Sequence, residues 1–175
     1  MHRFTDLVSR SVSFTLSVLK ETEDKIVKAL QTSAATSLVK NLQMIQLQRA
    51  ITAVGSFSMF EAMLQDGLGC SNGFDEVSRI LLAANQSALE ERFSDFRRAI
   101  NVLKHGRGRS YDALVSKASA LPFKIKLPTE AFFFEGDVSE ISTLIEVDNE
   151  FVINCAQVIS DVSEVIRSER KNFYF

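Results

Sequence analysis

A basic stretch at residues 94–112 combines side chains that are suited to proton transfer and to phosphate binding. It reads SDFRRAINVLKHGRGRSYD and holds one of the two histidines of the chain and five of its twenty lysines and arginines. Between Asp95 and Asp112 there is no acidic residue. The chain as a whole has a net charge of -2, so nothing attracts a polyanion globally, and a site for one must come from a local cluster of this kind.

The polar residues of this stretch fall on one face of a predicted helix. At about 100° per residue, positions 94, 98, 101 and 105 form one stripe, and its centre lies roughly 150° from that of an apolar stripe. The apolar stripe must face the core, so the polar stripe points to solvent or to a partner. The apolar stripe consists of Phe93, Phe96, Ile100 and Leu103, and the polar stripe of Ser94, Arg98, Asn101 and His105.

The polar stripe contains the components for cleaving an RNA phosphodiester without a metal ion or a cofactor. Histidine takes or gives a proton near neutral pH. Arginine holds a phosphate through two hydrogen bonds and stabilises the charge that develops on it, and asparagine can orient either group. The nucleophile would be the 2′-hydroxyl of the RNA itself. A polar stripe opposite an apolar one is also what any surface helix shows, so an ordinary solvated face is the alternative interpretation.

Three more basic residues, Lys104, Arg107 and Arg109, are candidates for RNA or phosphate binding. Gly106 and Gly108 alternate with the two arginines, and a glycine backbone can approach a phosphate closely. Each candidate also has an ordinary explanation. Lys104 lies near the edge of the apolar face, where a long side chain packs along the surface, and the two arginines are compatible with solvated loop charges.

The spacing of Arg98 and His105, with six residues between them, resembles the Arg-x(4–6)-His motif of the HEPN-domain superfamily, a group of small helical bundles. The segment AITAVGSFSMFEAMLQ is similar to the helix that carries an acidic residue amid apolar ones in many members, here Glu61. The resemblance spans roughly residues 38–119. It departs from the family at Ala99, where a polar residue is common, and Asn101 lies within one turn of that position.

Many HEPN members are metal-independent endoribonucleases of toxin–antitoxin, phage-defence or RNA-processing systems, and they dimerise so that two Arg/His motifs form one cleft. The resemblance implies that His105 transfers protons, that Arg98 binds phosphate and that Glu61 is a supporting acid. It also implies a homodimer through the outward Arg98/His105 face, with RNA or a nucleotide as ligand and an antitoxin protein as partner. Other members have lost activity and bind nucleotides or proteins, and this non-catalytic module is the alternative.

The chain as a whole predicts a single, mainly all-α domain over residues 1–175, and the resemblance implies that it is an up-down helical bundle of HEPN-like type. With 46% apolar residues, seven glycines and two prolines, the composition favours long helices over a turn-rich β fold. In the second helix we expect Leu47, Ile51, Val54 and Leu64 to face the core, and Gly55 to allow close helix approach. Ser110 is expected to cap the fifth helix. The predicted helices cover about residues 3–31, 36–66, 75–85, 87–104, 110–119 and 148–171.

Residues 120–147 predict a small β-hairpin or an extended flap packed on the bundle. The segment Phe123–Leu127 alternates with period two, and a proline lies on each side of it. Between this segment and a β-branched run at residues 142–147 are three consecutive phenylalanines, residues 132–134. We interpret them as core filling or a dimer contact in preference to a stacking platform for bases.

Several classes of protein are disfavoured by what the sequence lacks. Cys70 and Cys155 are too few and too far apart for a disulfide framework, so we expect reduced thiols. His2 and His105 are the only histidines, which excludes a histidine-rich metal site. We see no signal-peptide pattern and no apolar run of about 18–20 residues that would span a bilayer. A cytoplasmic location is therefore expected.

Overall fold

The computed structural model describes residues 3–170, and in this range the chain forms six α-helices and one short 3-10 helix. The predicted all-α class is confirmed, and each predicted helix is present. The fifth helix ends at Val115 and not near Ser119, the last helix ends at Glu169, and its predicted end at Lys171 lies outside the described residues. The α-helices are α1 (Phe4–Leu30), α2 (Thr36–Leu68), α3 (Gly73–Ala83), α4 (Ser87–His105), α5 (Arg109–Val115) and α6 (Asn149–Glu169), and the 3-10 helix is Ala118–Ala120.

The two longest helices, α1 and α2, pack antiparallel. Phe4 at the start of α1 stacks on Phe60 near the end of α2, with ring centroids 6.3 Å apart. At the other end, the buried Arg49 of α2 donates to Glu23 of α1 (2.9 Å) and to Asn149 of α6 (2.8 Å). Helices α2 and α6 pack against each other, and each of them also packs against α1, α3 and α4, so these two helices form the centre of the bundle.

Local sequence signals explain where the helices begin and end. Helix α2 ends at Leu68, and the next residue, Gly69, has the left-handed conformation (φ 62°) that glycine adopts without cost. Asn72 caps α3 by accepting from the N–H of Asp75, and Asp148 caps α6 by accepting from the N–H of Phe151. A Cβ at Gly73 would lie 2.8 Å from Cβ of Leu64, so only glycine permits this close approach of α3 to α2.

The apolar stripe of α4 faces the core as predicted. Phe93, Phe96 and Ile100 are buried, and Leu103 is partly buried against the same cluster. Two edge-to-face or tilted ring contacts, Phe74–Phe93 and Phe96–Phe151, each at 5.4 Å, tie α4 to α3 and to α6. The position of the polar stripe, away from the bundle, follows from this packing.

The prediction for the core side of α2 is wrong at two positions. Leu47 and Ile51 are 51% and 53% exposed, whereas Ala53 and Phe57 are fully buried. Helix α2 is apolar on nearly all sides, so the periodicity of its sequence does not indicate which face is buried. The larger phenylalanine side chains occupy the core. Gly55 likewise faces open space, since a Cβ there would meet no atom within 4 Å, and the expected close helix approach is absent.

The predicted hairpin is an extended flap with one antiparallel bridge, between Ile125 and Ile145, and residues 3–170 contain no β-strand. The bridge consists of Lys126 N–H to the Leu144 carbonyl (2.8 Å) and Glu146 N–H to the Lys124 carbonyl (3.1 Å). Pairing does not extend along the chain, because Pro122 and Pro128, the next residues on the paired edge, have no N–H to donate.

The three consecutive phenylalanines do not fill the core as a group. Phe132 and Phe134 are 59% and 49% exposed, so core filling is wrong for both, and Phe133 is partly buried. Lys126 lies over the Phe133 ring and Lys124 over the Phe134 ring, at 4.6 and 4.2 Å from the centroids. The dimer contact remains a prediction.

Candidate functional site

The chain turns sharply at the carboxyl end of α4, and the turn forms a depression of about 300 Å³. Gly106 follows the last residue of α4 with φ 75° and ψ -143°, and its N–H donates to the Val102 carbonyl (2.8 Å). Gly108 is extended, and α5 starts at the next residue. The depression is bordered by Asn101, His105, Gly106, Arg107, Gly108, Arg109 and Ser110.

The polar side chains at this depression are available to a ligand. His105 and Arg109 are exposed and Asn101 is half-buried. Within residues 3–170, these three side chains have no hydrogen-bond or ion-pair partner. Their donors and acceptors therefore bond to solvent, and a bound molecule can replace that solvent without breaking a contact within the protein.

Positive charge dominates the depression. Arg107 and Arg109 both border it, and none of the described residues that do so is acidic. The Arg107 guanidinium lies 5.3 Å from the centroid of the buried Tyr111 ring, and the Tyr111 hydroxyl donates to the Lys126 carbonyl at 2.8 Å. One of the two arginines is thus positioned by a ring that is itself anchored to the flap.

Arg98 lies on the same face of α4 but does not border the depression. Its Nη1 is 3.5 Å from Oδ1 of Asp95, one turn earlier, and 38% of its side chain is exposed. The guanidinium therefore retains donors for a second, external acceptor. Arg98 is seven residues before His105, so about two helical turns, or roughly 10 Å along the axis, separate the two residues.

Asp95 is an important residue that the sequence did not identify. Only 4% of it is exposed, and its second oxygen, Oδ2, lies 2.9 Å from Nζ of Lys117. Lys117 also donates to Glu91 at 2.8 Å, and the hydrogen bonds to Glu91 and Asp95 raise the pKa of its ammonium group. The i,i+3 spacing of Asp95 and Arg98 was a visible signal, but the burial of Asp95 and its pairing with Lys117 were not.

The position after Arg98, where the family resemblance is imperfect, faces the core. Ala99 is completely buried, so a polar side chain there would not reach the depression, whereas Asn101 borders it. Lys104 is exposed but lies outside the depression.

Glu61 is partly buried on α2 and does not border the depression either. Its carboxylate has no hydrogen-bond or ion-pair partner in the part of the chain that is described. Its backbone carbonyl lies against Gly73, 3.1 Å from where a Cβ would be, so this part of α2 is next to the start of α3.

The expected role of Ser110 as a helix cap is wrong. Helix α5 begins one residue earlier, at Arg109, its N-cap is Gly108, and no side chain accepts a capping hydrogen bond. The glycine turn brings the chain into helical conformation before Ser110, and this leaves the serine at the border of the depression.

Residues 3–170 contain no group of three or more His, Cys, Asp or Glu side chains arranged to hold a metal ion. Both cysteines are free, with Cys70 partly exposed and Cys155 buried, while His2 lies outside the described residues. No described helix combines the length and apolarity that crossing a membrane requires.

Comparison with known proteins found no matching family model, no matching curated protein and no matching solved structure. The functional interpretation therefore depends on the side chains around the depression and on their chemistry.

Proposed function

We propose that this protein is a metal-independent endoribonuclease of the HEPN type, which acts at the depression between α4 and α5. One observation carries the proposal. An exposed imidazole, a carboxamide and two guanidinium groups border the same depression, and no carboxylate among the described residues borders it with them. This combination suits an anionic substrate that needs proton transfer and charge stabilisation.

In the proposed reaction, His105 removes the proton of the RNA 2′-hydroxyl as that oxygen attacks the adjacent phosphorus. The bond from phosphorus to the 5′-oxygen breaks, and the leaving oxygen takes a proton from a second acid, so the products are a 2′,3′-cyclic phosphate and a 5′-hydroxyl. Arg107 and Arg109 hold the non-bridging oxygens, and the Asn101 side chain orients the phosphate or the imidazole.

Arg98 has a different position in this scheme from the residues at the depression. It lies about two turns before His105 on the same stripe, and its guanidinium is part-exposed beside Asp95. We assign it to a neighbouring phosphate of the same strand. Glu61 is the supporting acid that the resemblance implies, and because it does not border the depression, we expect its removal to have the smallest effect.

The proposal includes a homodimer through the outward Arg98/His105 face. The polar stripe points away from the core, and His105 at its end is exposed. A second subunit related by a two-fold axis would bring its own His105 into the same cleft, where it can supply the proton that the leaving oxygen requires. Light scattering of the purified protein tests for the dimer directly.

Cleavage of a fluorescent single-stranded RNA in the presence of EDTA tests the activity. We expect cyclic-phosphate ends, and a loss of about 10²–10⁴-fold in rate for His105→Ala, as removal of a general acid–base group predicts. Arg98→Ala should also be strongly impaired. Lys28→Ala, which removes an exposed lysine on α1, is the matched control. A wild-type protein that cleaves no RNA while folded, or a His105→Ala variant of full activity, would overturn the proposal.

The second candidate is a non-catalytic module of the same architecture that binds a nucleotide, RNA backbone or protein partner. The contact of Arg98 with Asp95 favours it, because part of the phosphate-binding capacity is already used within the chain. Such a module should bind RNA with an affinity that falls steeply as salt rises, and expressing wild type or His105→Ala should affect cell growth equally.

A further inference from the structure

A groove of about 730 Å³, larger than the depression, lies along the flap and is not explained by the proposed function. One part of its wall is apolar and includes Leu121, Leu127 and Phe134. Phe134 is 49% exposed, so its ring offers apolar surface to a ligand. A groove of this size with an apolar wall lies within the usual range for binding sites.

The groove is acidic. Among the described residues that border it, four carry carboxylates, Glu130, Glu146, Asp148 and Glu150, and one, Lys124, carries an ammonium group. That ammonium is already engaged, at 3.2 Å from Glu146 and over the Phe134 ring.

The four carboxylates differ in how many of their oxygens are free to accept a hydrogen bond from a ligand. Glu130 and Asp148 each accept one backbone N–H through one oxygen, from Leu127 at 2.8 Å and Phe151 at 2.7 Å, and the other oxygen has no bond to a described residue. Glu150 has no partner among the described residues. The groove therefore repels RNA and attracts cationic groups.

The free backbone groups along the groove favour a cationic peptide over a small cation as the ligand. Lys124 and Lys126 pair with residues 144–146, and because successive residues of an extended segment point to opposite edges, Phe123 and Ile125 point away from that bridge. Within the described chain, the N–H and C=O groups of Phe123 and Ile125 have no hydrogen-bond partner, and both residues border the groove. An extended peptide can satisfy both kinds of group, whereas a small cation can bind the C=O groups but offers no acceptor to the N–H groups.

We propose that this groove binds an extended peptide segment of a partner protein in which lysine or arginine alternates with apolar residues. In an extended peptide, alternate side chains lie on opposite faces. Its apolar side chains would pack on the wall at Phe134, its basic side chains would reach Glu150 and its acidic neighbours, and its backbone would pair with Phe123 and Ile125. This inference is independent of any activity at His105.

Fluorescence anisotropy with a labelled ten-residue peptide of alternating lysine and valine tests the proposal. The full chain should bind it saturably, with an affinity that weakens as salt increases. The same peptide N-methylated at alternate residues, which cannot donate backbone hydrogen bonds on one edge, should bind about tenfold more weakly. A peptide with glutamate in place of lysine should not bind, and spermine should compete poorly.

Two variants on one helix locate the site. Glu150→Lys should weaken binding of the lysine–valine peptide by about fivefold or more, while Glu164→Lys, which reverses the charge of an exposed α6 residue outside the groove, should leave it unchanged. Phe134→Ser tests the apolar wall without altering charge and should also weaken binding.

Absence of saturable binding by the folded wild type would overturn the inference, as would equal affinity of the Glu150→Lys variant. Equal binding of the methylated peptide, or efficient competition by spermine, would show a site for cations and not for an extended peptide. None of these results depends on RNA cleavage, so failure of the proposed function leaves this test intact.

Discussion

The Lys117 ammonium, beyond the end of α5, lies 2.9 Å from the Oδ2 atom of Asp95 in the middle of α4. The ion pair closes the α4–turn–α5 unit on the side away from the glycine turn. Asp95 also faces Arg98, so one buried carboxylate connects a candidate RNA-binding arginine to the residue that holds α5 against α4. The shape of the depression therefore depends on a contact outside it.

Replacing Lys117 by methionine should lower the free energy of unfolding by about 2–3 kcal/mol, because the buried Asp95 loses its closer partner. Lys117→Arg keeps a positive charge and should recover most of that loss. Urea denaturation at pH 7 measures both variants. An unchanged midpoint for Lys117→Met would mean that the pair does not stabilise the fold.

The two glycines of the turn should respond differently to alanine. Gly106 has φ 75° and ψ -143°, a conformation that a side chain disfavours, whereas Gly108 is extended, and neither has an atom within 4 Å of an added Cβ. Gly106→Ala should therefore cost about 1–2 kcal/mol through backbone strain alone. Gly108→Ala should be close to neutral. Thermal unfolding of the pair isolates the backbone effect, and equal losses would contradict it.

Glu140 should make the stability of the flap sensitive to acid. Burial alone would raise the pKa of its carboxyl, but the hydrogen bonds from Lys126 and from the N–H groups of Phe133 and Phe134 outweigh burial, and the pKa is lowered from the ordinary value of 4.5. The ionised form is thus favoured in the folded state. Its stabilisation is complete above pH 4.5 and is lost as pH falls through the lower folded value.

Glu140→Gln should consequently be less stable than wild type at pH 7, by about 2 kcal/mol for a lost charged hydrogen-bond partner of Lys126. The difference between the two proteins should shrink as the pH falls below 4.5. Glu135→Gln, an exposed change in the same flap, is the matched control and should follow the wild type throughout. A constant difference at all pH values would show that Glu140 acts through packing and not through its charge.

The two cysteines should differ in reactivity towards a thiol reagent. Burial raises the pKa of the Cys155 thiol well above its ordinary value, so the reactive thiolate is scarce and inaccessible in the folded protein. Cys70 is partly exposed after the end of α2. Labelling with iodoacetamide should modify Cys70 in the native protein and both residues in urea. Rapid native labelling of Cys155 would indicate that α6 opens locally.

The flap shows which structural features a local sequence pattern can predict and which it cannot. Alternation at Phe123–Leu127 correctly indicated extended backbone, but it left a hairpin and an extended flap as alternatives, and the structure has a flap with one bridge. Hydrogen-bond partners between residues about twenty positions apart depend on how both segments lie on α4 and α6. The same is true of Lys124 and Lys126, whose positions over phenylalanine rings no local rule predicts.

The helices and the outward direction of the polar stripe of α4 could be predicted from the sequence, because both follow from composition, capping residues and a period of 3.6 residues within one segment. Three relationships became visible only in the folded chain: which face of α2 is buried, that Asp95 joins Arg98 to Lys117, and that one depression is shared by Asn101, His105, Arg107 and Arg109. These relationships depend on how elements pack and on the course of a turn, and local periodicity carries no information about either.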